Sequence, residues 1–262
     1  SWAGACCGEG GQNGAAKPAA KVRRAPLVIC GPSGVGKGTI IKEMMTRFPY
    51  TFGFCVSHTT RAPRPGEVDG EHYHFSTREA VQAAIANGEF IEHANVHSNI
   101  YGTSFAAVEK VMADGRICVL DIDAQGVQNV KKTWANADPQ PHYVFIMPPA
   151  QPTPLGALEA RLRKRATEAE EKIQERLKNA QGEISYAQER GGANFDLVIV
   201  NDDLASAVDQ LCKAILDWEN MSVTGLSLGG PAMQPTRSKA TDGPWGSSFA
   251  NITGLSGPSS PK

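Results

Sequence analysis

Five residues, Pro26 to Cys30, form a short apolar run that leads directly into Gly31-Pro32-Ser33-Gly34-Val35-Gly36-Lys37. A helical pattern then runs from Lys37 to Phe48. Strand, glycine-rich turn and helix in that order bring a helix N-terminus against a loop whose backbone can bend sharply. The G-x-x-x-x-G-K spacing lets backbone N–H groups wrap a phosphate chain. The helix N-terminus adds positive potential, and Lys37 supplies a cation for the outer phosphates. Residues 31–37, with Gly38 and Thr39 after them, therefore read as a nucleotide-phosphate loop. One departure stands out: Gly38 occupies the place of the Ser or Thr whose hydroxyl would meet Mg²⁺, and the hydroxyl is displaced to Thr39. Direct metal ligation by this loop is therefore not expected.

The rest of the composition limits what surrounds the loop. Of 262 residues, 26 are Lys or Arg and 27 are Asp or Glu, a net charge of -1. That balance excludes nucleic-acid binding by bulk electrostatics. No run of about 18 apolar residues is present, so no membrane span is expected. Glycine and proline concentrate at the two ends. Residues 1–24 and 221–262 carry no apolar periodicity and read as disordered tails that cannot offset their ordering entropy. Residues 25–220 remain as one domain. Cys30, Cys55, Cys118 and Cys212 fall singly in apolar segments and read as small buried hydrophobes in a reducing compartment. Cys6 and Cys7 fall in the leading tail, and Asn251-Ile-Thr253 in the trailing one reads as a chance glycosylation triplet.

Strand patterns recur at 52–56, 72–75, 89–94, 117–121, 143–147 and 197–200, the last read as buried. Helical patterns recur at 104–114, from Gln125, and at 155–165, 168–189 and 204–218. Ser76-x-x-Glu79 reads as a capping box opening a further helix that stops at Asn87-Gly88. Apolar strands alternating with helices predict an α/β fold: a five-stranded parallel sheet flanked by helices. The stretch 57–102 breaks the alternation and reads as an inserted, mixed-β lobe. Residues 155–175 read as a helical lid.

A second set of motifs sits in the insertion. Ser57-His-Thr-Thr-Arg61-Ala-Pro-Arg64-Pro-Gly-Glu67 places two arginines three apart beside prolines, an arrangement suited to an anion. Tyr73, Phe90-Ile-Glu92, Tyr101-Gly-Thr103 and Leu120-Asp121-Ile-Asp123 follow. Asp121 ends an apolar strand, and Asp123, two residues on, is expected on the same strand face. Together with the phosphate loop, in order and spacing from Pro26 to Trp218, these segments resemble the guanylate kinase family.

The resemblance implies a P-loop NTPase fold and transfer of a phosphoryl group from ATP to GMP or dGMP in purine nucleotide metabolism, with Mg²⁺ as cofactor. It implies that Arg61, Arg64, Tyr73 and Tyr101 hold the GMP phosphate, and that Ser57, Glu92, Thr103 and Asp123 read guanine. A carboxylate such as Glu92 can accept from both N1–H and the N2 amino group of guanine, whereas adenine offers an acceptor at N1. The resemblance further implies that Asp121 organises Mg²⁺, through water, and that Asn201 lies near the adenine of ATP. Lys37, Arg61, Arg161, Arg165 and Arg176 are implied to stabilise the moving phosphoryl group. No general base is required, because the attacking phosphate oxygen is already anionic; His58, His72 and His74 read as structural or surface residues. Two alternatives stay open: a kinase-like module that binds protein without turnover, and a kinase for another monophosphate. The expected state is a monomer that binds neither nucleic acid nor membrane. The expected location is the cytoplasm, with a plastid or mitochondrion as the alternative raised by the basic, acid-poor leader.

Overall fold

The computed structural model describes residues 23–96, 98–164 and 170–219. The expected tails, their cysteines and the glycosylation triplet lie outside these residues, apart from Arg23 and Arg24. At the centre is β1 (Leu27–Cys30), all four of whose side chains are at most 1% exposed. Successive strand side chains point to opposite faces, so both faces of the sheet are covered at this strand. The sheet runs β2 (Phe52–Phe54), β7 (Ile117–Asp121), β1, β8 (His142–Met147), β9 (Leu197–Val200), with every neighbouring pair parallel.

Helices supply the crossovers that a parallel sheet requires. They are α1 (Lys37–Arg47), α3 (Phe105–Ala113), α4 (Ala124–Thr133), α5 (Pro154–Lys164), α6 (Glu170–Gln188) and α7 (Leu204–Trp218). One core joins them to the sheet, with Ile40 and Met44 of α1, Val127 and Val130 of α4, Ala180 and Ile184 of α6, and Val208 and Leu211 of α7 all buried. The long helix α6 buries an apolar stripe of Ile173, Ala180, Ile184 and Ala187. Cys30, Cys55, Cys118 and Cys212 are buried free thiols, as expected of small core residues. No described helix is long and apolar enough to cross a membrane.

The insertion carries a second sheet in the order β4 (His74–Phe75), β3 (His58–Thr59), β6 (Asn99–Ser104), β5 (Phe90–Val96), with α2 (Arg78–Ala86) beside it. The β3–β4 pair is parallel and the others are antiparallel. Thr133 Oγ1 donates to the Ile91 carbonyl at 3.0 Å and Asn129 Nδ2 to the His93 carbonyl at 3.3 Å, fastening this sheet to α4.

Four expectations need correction. Strands β3 and β6 were not foreseen, because two-residue and glycine-containing segments carry too little alternation to register. Strand β9 is an edge strand with one open face: Ile199 is buried while Val198 and Val200 are 37% and 46% exposed. Asp123 does not share a strand face with Asp121, since β7 ends at Asp121 and Asp123 caps α4. The cap of α2 is Thr77, whose side chain accepts from the Ala80 N–H at 3.2 Å, so Ser76 makes no capping box. Thr77→Ala should therefore cost about 1 kcal/mol in chemical denaturation, whereas Ser76→Ala should stay within about 0.5 kcal/mol of the parent.

Candidate active site

The phosphate loop joins the end of β1 to α1 at the carboxyl edge of the sheet, the edge where open α/β sheets bind ligands. Gly31, Gly34 and Gly36 have φ of 147°, 89° and 105°. A Cβ on Gly31 would lie 2.5 Å from the Ile146 carbonyl oxygen, so both backbone angle and space demand glycine there. Val35 N–H donates to the Pro32 carbonyl at 3.1 Å, and Thr39 N–H to that of Gly36 at 3.1 Å, closing the turn into α1. The Thr39 side chain is exposed in the first turn.

The loop is braced from three later elements. Asn201, buried just after β9, donates through Nδ2 to the Val35 carbonyl at 2.7 Å. Arg161 of α5 donates to the same carbonyl at 2.9 Å and to the Asn201 carbonyl at 2.8 Å. Arg176 of α6 donates to Ser33 Oγ at 2.9 Å. Two expected lid arginines and Asn201 thus converge on the loop. Arg165 lies outside the described residues, as do residues 166–169 of the expected lid. The two lid helices are cross-tied by Arg163, which bonds Glu159 and Glu170.

Lys37 Nζ donates to the Gly31 carbonyl at 2.5 Å and lies 3.7 Å from Asp121 Oδ1. Burial opposes its charge, but Asp121, Cys30, Glu183 and Asp123 outweigh burial and raise its pKa above the ordinary lysine value. The cation needed by a polyphosphate is therefore held charged before any ligand arrives.

A second cationic point lies in the inserted lobe. The Arg61 guanidinium forks onto Glu67 through two bonds of 2.9 Å and sits 5.4 Å from the centre of the Tyr73 ring. Tyr73 and Tyr101 meet edge to face at 5.8 Å. Burial opposes the Arg61 charge, but Glu67 and Tyr101 outweigh burial and raise its pKa above the ordinary arginine value. Arg64 contributes its backbone N–H to Glu67 at 2.7 Å and leaves its side chain exposed. Arg61, Tyr73 and Tyr101 are therefore assembled, with Arg64 at the rim.

Glu92 and Asp123 converge nearby. A Cβ on Gly126 would be 3.1 Å from Glu92 Oε2 and 3.3 Å from Asp123 Oδ1. Thr103 Oγ1 donates to Glu92 Oε1 at 2.6 Å. A register shift between Phe90 and Glu92 sets Glu92 opposite Thr103, a β-bulge re-aiming a side chain toward a site. Asp123 Oδ1 accepts from the Gly126 N–H at 2.7 Å as the cap of α4. Ser57, half-buried, precedes β3, and its carbonyl accepts from the His74 N–H at 2.9 Å. Burial pushes the Glu92 carboxyl up to about 7; the Thr103 hydroxyl restrains the rise and the Asp123 charge adds to it. The three histidines stand apart from this chemistry: His58 packs on His74 with ring centres 4.7 Å apart, and His72 Nδ1 accepts from the Val68 N–H.

The structure thus sets a phosphate loop beside a lobe with arginines, tyrosines and two converging carboxylates. The family model described as guanylate kinase matches residues 23–218. The chain belongs to the guanylate kinase family. It is 50% identical to guanylate kinase of Sus scrofa over 190 residues, covering 72% of this chain and 91% of that one. It is 48% identical to guanylate kinase 1 of Oryza sativa subsp. japonica, again over 72% of this chain but 47% of the rice protein, so it spans about half the length of that relative. Among solved structures, guanylate kinase from Anaplasma phagocytophilum superposes with a TM-score of 0.54 at 31% identity, covering 77% of this chain and 88% of that one. Membership of the guanylate kinase family makes the folded unit a nucleotide-binding phosphotransferase.

Two acids of this guanylate kinase unit were not assigned roles from sequence. Glu67, quoted only as part of a motif, holds the Arg61 fork. Glu183 acts on Lys37 from α6, and its signal was hidden in a helix rich in charge. Glu92 gives the site a measurable pH signature. Its folded pKa of about 7 exceeds the ordinary 4.5, so between those values the folded state binds the extra proton, and stability falls as pH rises through the window. Relative to Glu92→Gln, the parent should lose on the order of 3 kcal/mol between pH 4.5 and 8, read from denaturation midpoints across pH.

Proposed function

We propose that this protein transfers the γ-phosphoryl group of ATP to GMP or dGMP, giving ADP and GDP. The observation that supports this most is the buried Glu92–Thr103 pair facing Asp123 in a lobe separate from the phosphate loop. Two carboxylates side by side suit a base edge with adjacent donors, which guanine presents and adenine does not. Arg61, Arg64, Tyr73 and Tyr101 take the GMP phosphate, and Ser57, Glu92, Thr103 and Asp123 take the base.

ATP phosphates lie along residues 31–39, with Lys37 at the β and γ oxygens and Asn201 at the edge of the nucleotide site. Mg²⁺ suits the oxygen donors near Lys37. It binds through one or two carboxylates and keeps several waters. Asp121 would hold it through water. When bound, it supplies charge neutralisation on the β and γ phosphates. Transfer needs no base from the protein, because the GMP phosphate oxygen is already anionic. The protein aligns that oxygen with the γ-phosphorus, excludes water, and spreads cationic charge from Lys37, Arg61, Arg161, Arg165 and Arg176 over the transferring group. Arg161 and Arg176 bring that charge from their places on the loop at Val35 and Ser33.

A coupled assay of ADP formation with GMP, dGMP, AMP, CMP and UMP tests the assignment. GMP and dGMP should turn over, and a preference for AMP, or binding of GMP without turnover, would overturn it. Glu92 must be ionised to accept from guanine, so the KM for GMP should rise as pH falls below about 7 and lose that dependence in Glu92→Gln. Lys37→Ala should lower kcat by at least about 100-fold, the scale seen when one preorganised donor is removed from a transition state.

A further inference from the structure

Gly102 lies inside β6, between Tyr101 and Thr103 of the proposed GMP site. It is buried and has no positive φ, so its backbone conformation does not call for glycine. Glycine weakens a strand interior and marks places where another backbone approaches closely. Such an approach is present here. A Cβ on Gly102 would lie 2.8 Å from the Glu92 carbonyl oxygen, and 2.6 and 2.9 Å from Cδ1 and Cε1 of the Phe90 ring. The space that a side chain would need is taken by the two residues that flank the bulge in β5.

The bulge decides which side chain reaches the site. Phe90 pairs with Ser104, and Glu92 with Thr103. Paired residues share a face of a sheet, and consecutive residues take opposite faces. Phe90 therefore lies on the Gly102 face, where the His58 ring meets it edge to face at 5.1 Å. Glu92 lies on the other face and takes the Thr103 hydroxyl at 2.6 Å. Carrying the Phe90–Ser104 register on without the bulge would set Ile91 opposite Thr103 and turn Glu92 to the Gly102 face. An aliphatic side chain would then stand where the carboxylate is. β5 has little room to yield to a Cβ, because Thr133 and Asn129 of α4 hold the Ile91 and His93 carbonyls. The oxygen nearest that Cβ is also backbone, which cannot swing aside as a side-chain end can.

We propose that Gly102 is a positioning residue for guanine recognition, acting through Glu92: its bare α-carbon admits the bulge that turns the carboxylate, in place of Ile91, toward the base. The inference rests on the assignment of Glu92 to the base and adds a determinant of that specificity.

The test compares the parent with Gly102→Ala. We expect KM for GMP to rise about tenfold, KM for ATP to stay within about twofold, and the preference in kcat/KM for GMP over AMP to fall about tenfold. A second readout needs no substrate. The parent loses stability as pH rises and the buried Glu92 carboxyl, with Asp123 its charged neighbour, gives up its proton. In Gly102→Ala that pH dependence should shrink by about half or more as Glu92 leaves its place. Phe90→Ala in the Gly102→Ala background removes two of the three close contacts and should recover part of the KM for GMP. An unchanged KM for GMP, or an unchanged pH dependence of stability, overturns the proposal. So does an equal rise in both KM values, or failure of both variants to fold, since each marks a glycine needed by the fold as a whole. The parent assayed alongside separates the two readings. A parent active on GMP with an unaffected variant removes only the role of Gly102, whereas a parent inactive on GMP removes the reaction assignment and this role with it.

Discussion

The carbonyl of Val35 accepts two hydrogen bonds, from Asn201 and Arg161, and the site depends on that junction. A phosphate loop must keep its N–H groups turned inward without a ligand to hold them. Three glycines at positive φ make such a backbone reachable, but they also make its alternatives reachable. The bonds to Val35 restrict the choice. They come from the end of β9 and from α5, elements more than a hundred residues downstream. The loop is therefore shaped by the completed sheet, and a chain lacking β9 would present the same glycines without the same geometry.

Electrostatics divide the site into two regimes. Around Lys37 the protein concentrates opposite charges, so the cation stays charged despite burial. Around Glu92 it does the reverse, placing a carboxyl among apolar and acidic neighbours so that its proton leaves only near neutrality. The first arrangement suits an anion of high charge. The second suits a neutral donor edge that completes the hydrogen bonding of a desolvated acid. Asp123 lies between them and acts on both.

Much of this was legible in the residues. The parallel sheet could be read because its strands are short apolar runs separated by helical periodicity, and the phosphate loop because glycine and lysine spacing maps directly onto backbone geometry. The four single core cysteines followed from apolar neighbours alone. The inserted sheet was only partly legible: β3 has two residues, and the bulge that aims Glu92 is a property of pairing, not of composition. The cap of α2 shows a similar limit, since adjacent Ser76 and Thr77 offer equivalent chemistry and only the entry angle of the chain selects one. Glu67 and Glu183 escaped assignment because a charged residue reads as solvated until its partner's position is known. The exposed valines of β9 reveal that an apolar run cannot distinguish a central strand from an edge.

The fork between Arg61 and Glu67 has a thermodynamic corollary for substrate choice. The unliganded lobe already satisfies its arginine with an internal carboxylate, in the bidentate geometry that a phosphate would use. If Arg61 takes the substrate phosphate as proposed, an incoming phosphate exchanges with an anion instead of filling an unmet demand, and its share of affinity is a difference between two good pairs. Free phosphate, abundant in any cell, gains little from that exchange. On the proposed assignment, a ligand that carries a base as well gains a second set of contacts at Glu92 and Asp123, so discrimination falls to the whole nucleotide.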